Sequence, residues 1–530
     1  MRRSWLALGA LVVVLALPFV ARSRRSAAES SAARAAAETL VILTPHNEAV
    51  RFEFGRAFRE HMARRGRRVE VDWRTPGGSA EISRYLNSEY MASFEQFWTR
   101  KLGHTWSART ASSFMRPQPE GVGVHVQVSA SDGDEAAVAR REFLASDVGC
   151  GMDLLFGGGS SEHIKHAEAG RLVDAGVVQS HPETFGTTGI PHQVGGQTYW
   201  DTEGRWVGTC LSSFGICFNG DVMRRLGVGR PSSWAALADP RLLGHLALAD
   251  PTKSASIAKV FETIVQSQMQ RTGVDEGWAR AARLIRRIGG NSRYFTDSAS
   301  KVPLDVGTGD AAAGMCIDYY GRFQSETTAA LGHPERVGFV APPGESATDP
   351  DPIGLLRGAP HRALAVAFME FVLSEEGQRL WAFRRGTPGG PQRYTLRRLP
   401  ILPRLYDPIF DAYRGDPDEH PYQQTQQVEY HREWTGPLVG TIAFVIRVMC
   451  VDTEVELRRA YAALVAAGFP PRATATFDDM SLIDYATVSG PVRAALNAPD
   501  PLEEARMARE LGRHFRDLYG HVETLAGAGQ

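Results

Sequence analysis

Residues 152–163, Met-Asp-Leu-Leu-Phe-Gly-Gly-Gly-Ser-Ser-Glu-His, decide how this chain is read. Leu154 to Phe156 is a short apolar run, the pattern of a buried strand. Gly157, Gly158 and Gly159 follow, and they let the backbone turn tightly and approach another group closely. Ser160 or Ser161 can then cap a helix that runs through Ala169 and ends at Gly170. Strand, glycine loop and helix start in that order gather unpaired N–H groups and the positive end of a helix dipole, a place suited to oxygens. The same glycines can serve as a plain tight connection, and the stretch alone leaves both readings open.

The opening of the chain sets the class. Residues 39–43 form a strand ending at Thr44-Pro45, and His46-Asn47-Glu48 leads into a helix with Val50, Phe54, Ala57, Phe58 and Met62 at helical spacing. Residues 69–73 alternate as a second strand, and Pro76-Gly77-Gly78 turns into a helix from Ser79. This βαβα order predicts an α/β fold with a parallel sheet covered by helices. Residues 94–148 are irregular and read as an insertion, and 173–205 read as loop. Extended chain returns at 207–219, followed by a short helix at 221–226.

A second strand–loop–helix unit follows. Residues 246–250, Leu-Ala-Leu-Ala-Asp, read as a buried strand, Lys253, Ser254 and Ser256 stand at the helix start, and Ile257, Phe261, Ile264 and Val265 mark one face. Residues 311–317 form a strand running into Asp318-Tyr319-Tyr320, and 337–340 return as another. After Tyr406 the character changes to a polar stretch at 418–433, an apolar one at 440–446 and helical patterns at 456–467 and 501–519.

Composition is that of an ordinary globular protein: 530 residues, 43% hydrophobic, 22% charged, net charge −1. That balance points away from nucleic acid or a membrane surface as the main partner. The N-terminus differs. Arg2-Arg3 precede an apolar run from Trp5 to Ala21, a charged region followed by a hydrophobic one as in an export signal. No clean cleavage site follows, so the segment is read as a signal peptide or a retained anchor of about 17 apolar residues, at the short end for crossing a bilayer. The five cysteines, Cys150, Cys210, Cys217, Cys316 and Cys450, form no CxxC pair and no zinc-like cluster. A Cys210–Cys217 bridge is one option in an exported protein, and an odd count leaves at least one thiol free.

Four stretches together resemble the bacterial extracellular solute-binding proteins of ABC importers, in the ferric, thiamine and phosphorylated-solute branch of the periplasmic binding proteins of type II. They are Leu43-Thr44-Pro45-His46-Asn47-Glu48; Asp153 through Gly158; Gly215 to Asn219 with Pro231-Ser232-Ser233-Trp234 and Leu248 to Ser254; and Gly309 to Gly314 leading to Asp318-Tyr319-Tyr320. The resemblance implies a two-lobed α/β fold with ligand held between hinged lobes. The domains expected are a signal or anchor at 1–25, a linker at 26–38, lobe 1 mainly at 39–213, lobe 2 mainly at 214–336, a return to lobe 1 at 337–406, and a helical C-terminal extension at 407–530. Residues 214–219 and 337–340 are the candidate crossing strands.

The ligand-binding residues expected are His46, Asn47, Gly157, Gly158, Gly159, Ser160, Ser254, Ser256, Asp318, Tyr319 and Tyr320. The solute expected is a small phosphorylated or carboxylated molecule. In ferric-binding members of the family two adjacent tyrosines and a histidine hold iron, which Tyr319, Tyr320 and His46 match. However, glycines stand where the family's carboxylate belongs, so Fe3+ is the alternative ligand. No catalytic residue and no cofactor are expected. Partners are the solute and the importer's permease subunits, with a monomer in the periplasm, free or tethered by residues 5–21. A membrane-anchored sensor is a further alternative. A hydrolase using Ser160, Ser161 and His163 is disfavoured because there is no GxSxG elbow and no acid to orient the histidine.

Overall fold

The computed structural model describes residues 37–116, 135–186, 189–423, 428–498 and 500–528. The expected signal or anchor at 1–25 and nearly all of the linker at 26–38 lie outside the described residues, as does 117–134 of the expected insertion.

In the first lobe β1 (Glu38–Leu43) pairs in parallel with β2 (Val69–Arg74) on one side and β3 (Leu154–Phe156) on the other. Between β1 and β2 runs α1 (Glu48–Ala63), which buries the predicted stripe of Val50, Phe54, Ala57, Phe58 and Met62. After β2 comes α2 (Ser79–Gln96), with Ile82, Leu86, Tyr90 and Phe94 on its buried face. The irregular region expected from residue 94 therefore begins inside a helix. Phe94 stacks on Phe114 at 4.5 Å and meets Phe143 edge-on, so the described part of this region closes over lobe 1. The glycine loop after β3 leads into α3 (Ser160–Glu168), whose cap is Gly159 rather than either serine. The 173–205 region holds a helical turn, Val177–Ser180, and a small hairpin pairing Gln193 with Thr198.

One strand joins the lobes. β4 (Trp206–Asn219) is buried along its whole length. Its first half pairs with the first lobe and its second half with the second lobe. The second lobe then contributes β5 (Leu246–Ala249), α4 (Ala255–Thr272), α5 (Val274–Gly290), β6 (Ser292–Thr296), β7 (Ala313–Ile317), α6 (Asp318–Ala330) and β8 (Val337–Val340). β5 lies parallel between β6 and β7, and β7 and β8 flank β4 antiparallel. The chain returns through 341–347 to β9 (Thr348–Leu356), which pairs with β4 and β3 in the first lobe. Residues 214–219 are thus the second-lobe half of one long crossing strand. Residues 337–340 stay within the second lobe, and the return crossing falls just after them. A strand buried on both faces shows no alternation, so its sequence does not mark where it changes sheets.

The C-terminal region is built into the second lobe. Residues 428–431 lead the chain back to the second lobe, with Val428 N–H donating to Ser346 O and Tyr430 N–H to Gly195 O, both at or under 3.0 Å. The helices α7 (Val439–Ile446), α8 (Glu454–Ala466) and α9 (Pro501–Gly527) follow. Ile442, Phe444, Leu457, Tyr461, Phe515 and Tyr519 share one core with Ile264 and Ile285 of α4 and α5. The helical run Arg432–Val451 is long and apolar enough to cross a bilayer, but 67% of its most apolar window is buried in this core.

All five cysteines are buried and free. Cys210 and Cys217 sit on the same extended strand, so their α-carbons are about 23 Å apart at 3.3 Å per residue, far beyond disulfide reach. The Cys210–Cys217 bridge is excluded.

Candidate functional site

Between the lobes lies a cavity of about 480 Å³. Of the residues expected to bind ligand, His46, Gly158, Gly159, Ser254, Ser256, Tyr319 and Tyr320 stand on its wall. Asn47, Gly157, Ser160 and Asp318 do not, and each has a supporting task. Asn47 is exposed and its side chain accepts from Val50 N–H at 3.2 Å, capping α1. Gly157 backs the His46 ring with φ +84°, and a β-carbon there would lie 2.6 Å from Cε1 and Nε2. Ser160 is buried, and its hydroxyl donates to Asp349 at 2.8 Å. Asp318 is buried at the start of α6, where it accepts from Ser213 N–H at 3.1 Å and Tyr319 N–H at 2.8 Å. Burial raises its pKa, with Arg322 and Arg398 opposing.

The sequence reading missed the charged floor of the cleft. Asp351 receives Gly158 N–H at 3.0 Å and Gly159 N–H at 3.3 Å on one oxygen. Its other oxygen receives His46 Nε2–H at 3.0 Å and an Arg398 N–H at 2.8 Å. The glycine amides expected to hold an external oxyanion are therefore engaged by a carboxylate of the chain itself. Burial pushes the Asp351 carboxyl up, but Arg398 and His46 outweigh it and hold it far below the usual carboxylate range.

Arg398 also donates to Ser212 at 2.9 Å, and its guanidinium lies 4.5 Å above the Tyr319 ring and 5.6 Å from that of Trp381. The Tyr319 and Tyr320 rings are 4.2 Å apart. Burial, together with Tyr320, pushes the Tyr319 phenol well above its ordinary value despite Arg398.

A second buried network lies beside the first. Lys259 of α4 stands 3.0 Å from Glu262, 3.8 Å from Asp349 and 4.0 Å over the Tyr430 ring. Burial pulls its pKa down, but Glu262, Tyr430 and Asp349 outweigh that and keep it charged. Glu262 also accepts from Tyr430 at 2.8 Å and Thr435 at 2.7 Å, which ties the cleft to the C-terminal connection.

Around this floor several helix starts face the cavity. Ser79 begins α2, Ser161 lies in the first turn of α3, Ser254 caps α4 by accepting from Ile257 N–H, and Ser300 precedes the helix Lys301–Thr308. Lys253 is on the wall and carries no ion pair among the described residues. Hydroxyls, helix N-termini and the Lys253 ammonium form a surface whose chemistry suits anionic oxygen.

Asp349 and Asp351 did carry a sequence signal. They alternate with prolines at 349–352, immediately before the apolar 353–356, and an acid inside a strand buried on both faces needs a partner. Arg398 carried none, because its contacts come from elements far away in sequence.

Two alternatives meet the geometry here. His163 lies against Gly159 O at 3.2 Å and Leu155 O at 3.4 Å, while Ser160 is bonded to Asp349, so these two are not paired as a nucleophile and its base. Among the described residues no group of three His, Cys, Asp or Glu is placed to hold a metal. The tyrosine pair that would receive Fe3+ has a guanidinium over one ring, and His46 is already bonded to Asp351.

Comparisons with known proteins give partial matches. Residues 222–383 match the family described as bacterial extracellular solute-binding protein. The phosphoglycerate transport regulatory protein PgtC of Salmonella typhimurium is 26% identical over 176 residues, covering 33% of this chain and 40% of that protein. The chain thus spans less than half the length of this curated relative. Among solved structures, the periplasmic binding protein P5PA is 16% identical with a TM-score of 0.48, covering 75% of this chain and 94% of that one. Iron-bound HitA from Pseudomonas aeruginosa is 14% identical with a TM-score of 0.45, covering 80% and 99%. The matched segment 222–383 carries Lys253, Ser254, Tyr319, Asp349 and Asp351, so the likeness to bacterial extracellular solute-binding proteins falls on residues that line the cleft.

Proposed function

We propose that this protein is the solute receptor of an ABC importer, working in the periplasm and capturing a small phosphorylated or carboxylated solute between its lobes. One observation carries the reading. The starts of α2 and α4, the Ser254, Ser256 and Ser298 hydroxyls and Lys253, which has no ion pair among the described residues, all face a single cavity of about 480 Å³. That volume is in the range of small-molecule sites, and donors of this kind make charge-assisted hydrogen bonds to oxyanions. The partial likeness to a phosphoglycerate transport regulatory protein supports the same class of solute.

β4 and the 341–347 segment supply the hinge, and closing the lobes would bring Ser79 and Ser161 toward Ser254 and Lys253 across the solute. The receptor then hands the solute to permease subunits.

Fe3+ is the weaker reading. Tyr319 and Tyr320 are adjacent on the wall, but Arg398 over the Tyr319 ring opposes a trivalent cation there. Native mass spectrometry of protein isolated from its host compartment tests the choice. An organic phosphate or carboxylate adduct is expected, and stoichiometric iron overturns the reading.

A further inference from the structure

We propose that Asp351 is a tethered anion occupying the oxyanion socket of the first lobe, so that the cleft takes a solute with one anionic group, held by the second lobe, and rejects one that brings a second anion to the glycine loop. The inference deepens the oxyanion reading above and rests on it.

Four donors converge on this carboxylate: Gly158 N–H, Gly159 N–H, His46 Nε2–H and Arg398. A carboxylate offers about four lone-pair positions, and all are filled from within the chain. It has none left with which to bind a solute. The donors are also held without its help. Phe156 meets the His46 ring edge-on at 4.6 Å, and Gly157 leaves no room behind it. Arg398 is fixed by Ser212 and lies 4.5 Å from the Tyr319 ring and 5.6 Å from that of Trp381. This is a pre-formed anion socket whose occupant is part of the protein.

The occupant is placed with care. The β4–β9 register slips between Asp351 and Pro352, and Thr209 donates to Asp351 O at 2.8 Å across that irregularity. Bulges of this kind re-aim a side chain beside a site. Pro350 and Pro352 flank the residue and fix the backbone on both sides.

The consequence is selectivity by charge. A solute anion approaching Gly158 meets Asp351 rather than free amides, whereas one approaching Ser254 and Ser256 meets Lys253 with no ion pair. At an effective dielectric constant of about 20, a like charge within about 6 Å of Asp351 is disfavoured by about 100-fold.

The socket is tested with Asp351→Ala. Acetate, compared with equimolar chloride, should raise the melting temperature of the variant by more than it raises that of the wild type. Equal responses of the two proteins would overturn the proposal. Selectivity is tested by calorimetry with glycerol 3-phosphate and 3-phosphoglycerate, which adds a carboxylate. The wild type should prefer the former by about 100-fold, and Asp351→Ala should narrow that gap at least tenfold. Where Asp351→Ala does not fold, Asp351→Asn should narrow the gap likewise. Equal wild-type affinities sink this inference while leaving the oxyanion reading intact. Failure of both compounds and of inorganic phosphate to bind sinks the oxyanion reading, and this inference with it.

Discussion

Replacing Gly157 and, separately, Gly158 with alanine measures how firmly the His46–Asp351 pair is held. Both glycines have positive φ, +84° and +106°, so each alanine carries a backbone cost of about 1–2 kcal/mol. Only Gly157 adds a collision. Its β-carbon would sit 2.6 Å from Cε1 and Nε2 of His46, a ring that cannot swing away from Phe156 and Trp381. Overpacking of this kind costs roughly 1–3 kcal/mol. Displacing His46 also removes a hydrogen bond to an ionised carboxylate, about 1.5–3 kcal/mol more. At Gly158 the nearest atom is Ser79 Oγ at 3.5 Å, an ordinary contact. Gly157→Ala should therefore lose about 2.5–6 kcal/mol more than Gly158→Ala. At an m-value of about 3 kcal/mol/M this separates the urea midpoints by roughly 1–2 M. Coincident midpoints, followed by circular dichroism, would refute the claim that His46 is locked. Solute affinity should reverse the order, because Gly158→Ala sets a methyl on the cavity wall beside Ser79.

Three further outcomes follow from buried groups. His163 and His166 are buried, and burial lowers both pKa values, so both are neutral when folded and must take up protons on unfolding. Stability is then full above about pH 6.5 and falls below it, by at most about 1.4 kcal/mol per pH unit for each histidine, and His166→Gln should lessen the slope. A flat urea midpoint between pH 6.5 and 5 would contradict this assignment. Lys259→Met leaves Glu262 and Asp349 without their cation and should cost about 3–5 kcal/mol, with Glu262→Gln added to it recovering part. Additive losses across that double-mutant cycle would show that the network is not coupled. Thiol titration should find no reactive cysteine in the native protein and all five after denaturation, and any shortfall on denaturation would reveal a disulfide.

Local patterning carried the parts of the fold that are local. The periodic stripe on α1, the Leu154–Phe156 run and the strand entering Tyr319 all reappear as elements, because burial of one face leaves a period in the sequence. The boundaries that failed are those set by distant neighbours. The 94–148 region begins inside α2 because Phe94 packs on Phe114 and Phe143. The return crossing falls beyond 337–340 because β8 is held by β4.

The site divides the same way. Sequence alone marked glycine loops, hydroxyl-bearing helix starts and the Tyr319–Tyr320 pair as neighbours of a ligand, since their chemistry is written in a few consecutive residues. What fills the glycine loop was decided only by the tertiary structure. Asp351 and Arg398 reach it from 193 and 240 residues further along the chain, counted from Gly158. Whether a backbone amide is free depends on which charge the folded chain brings against it, and no short run of residues contains that information.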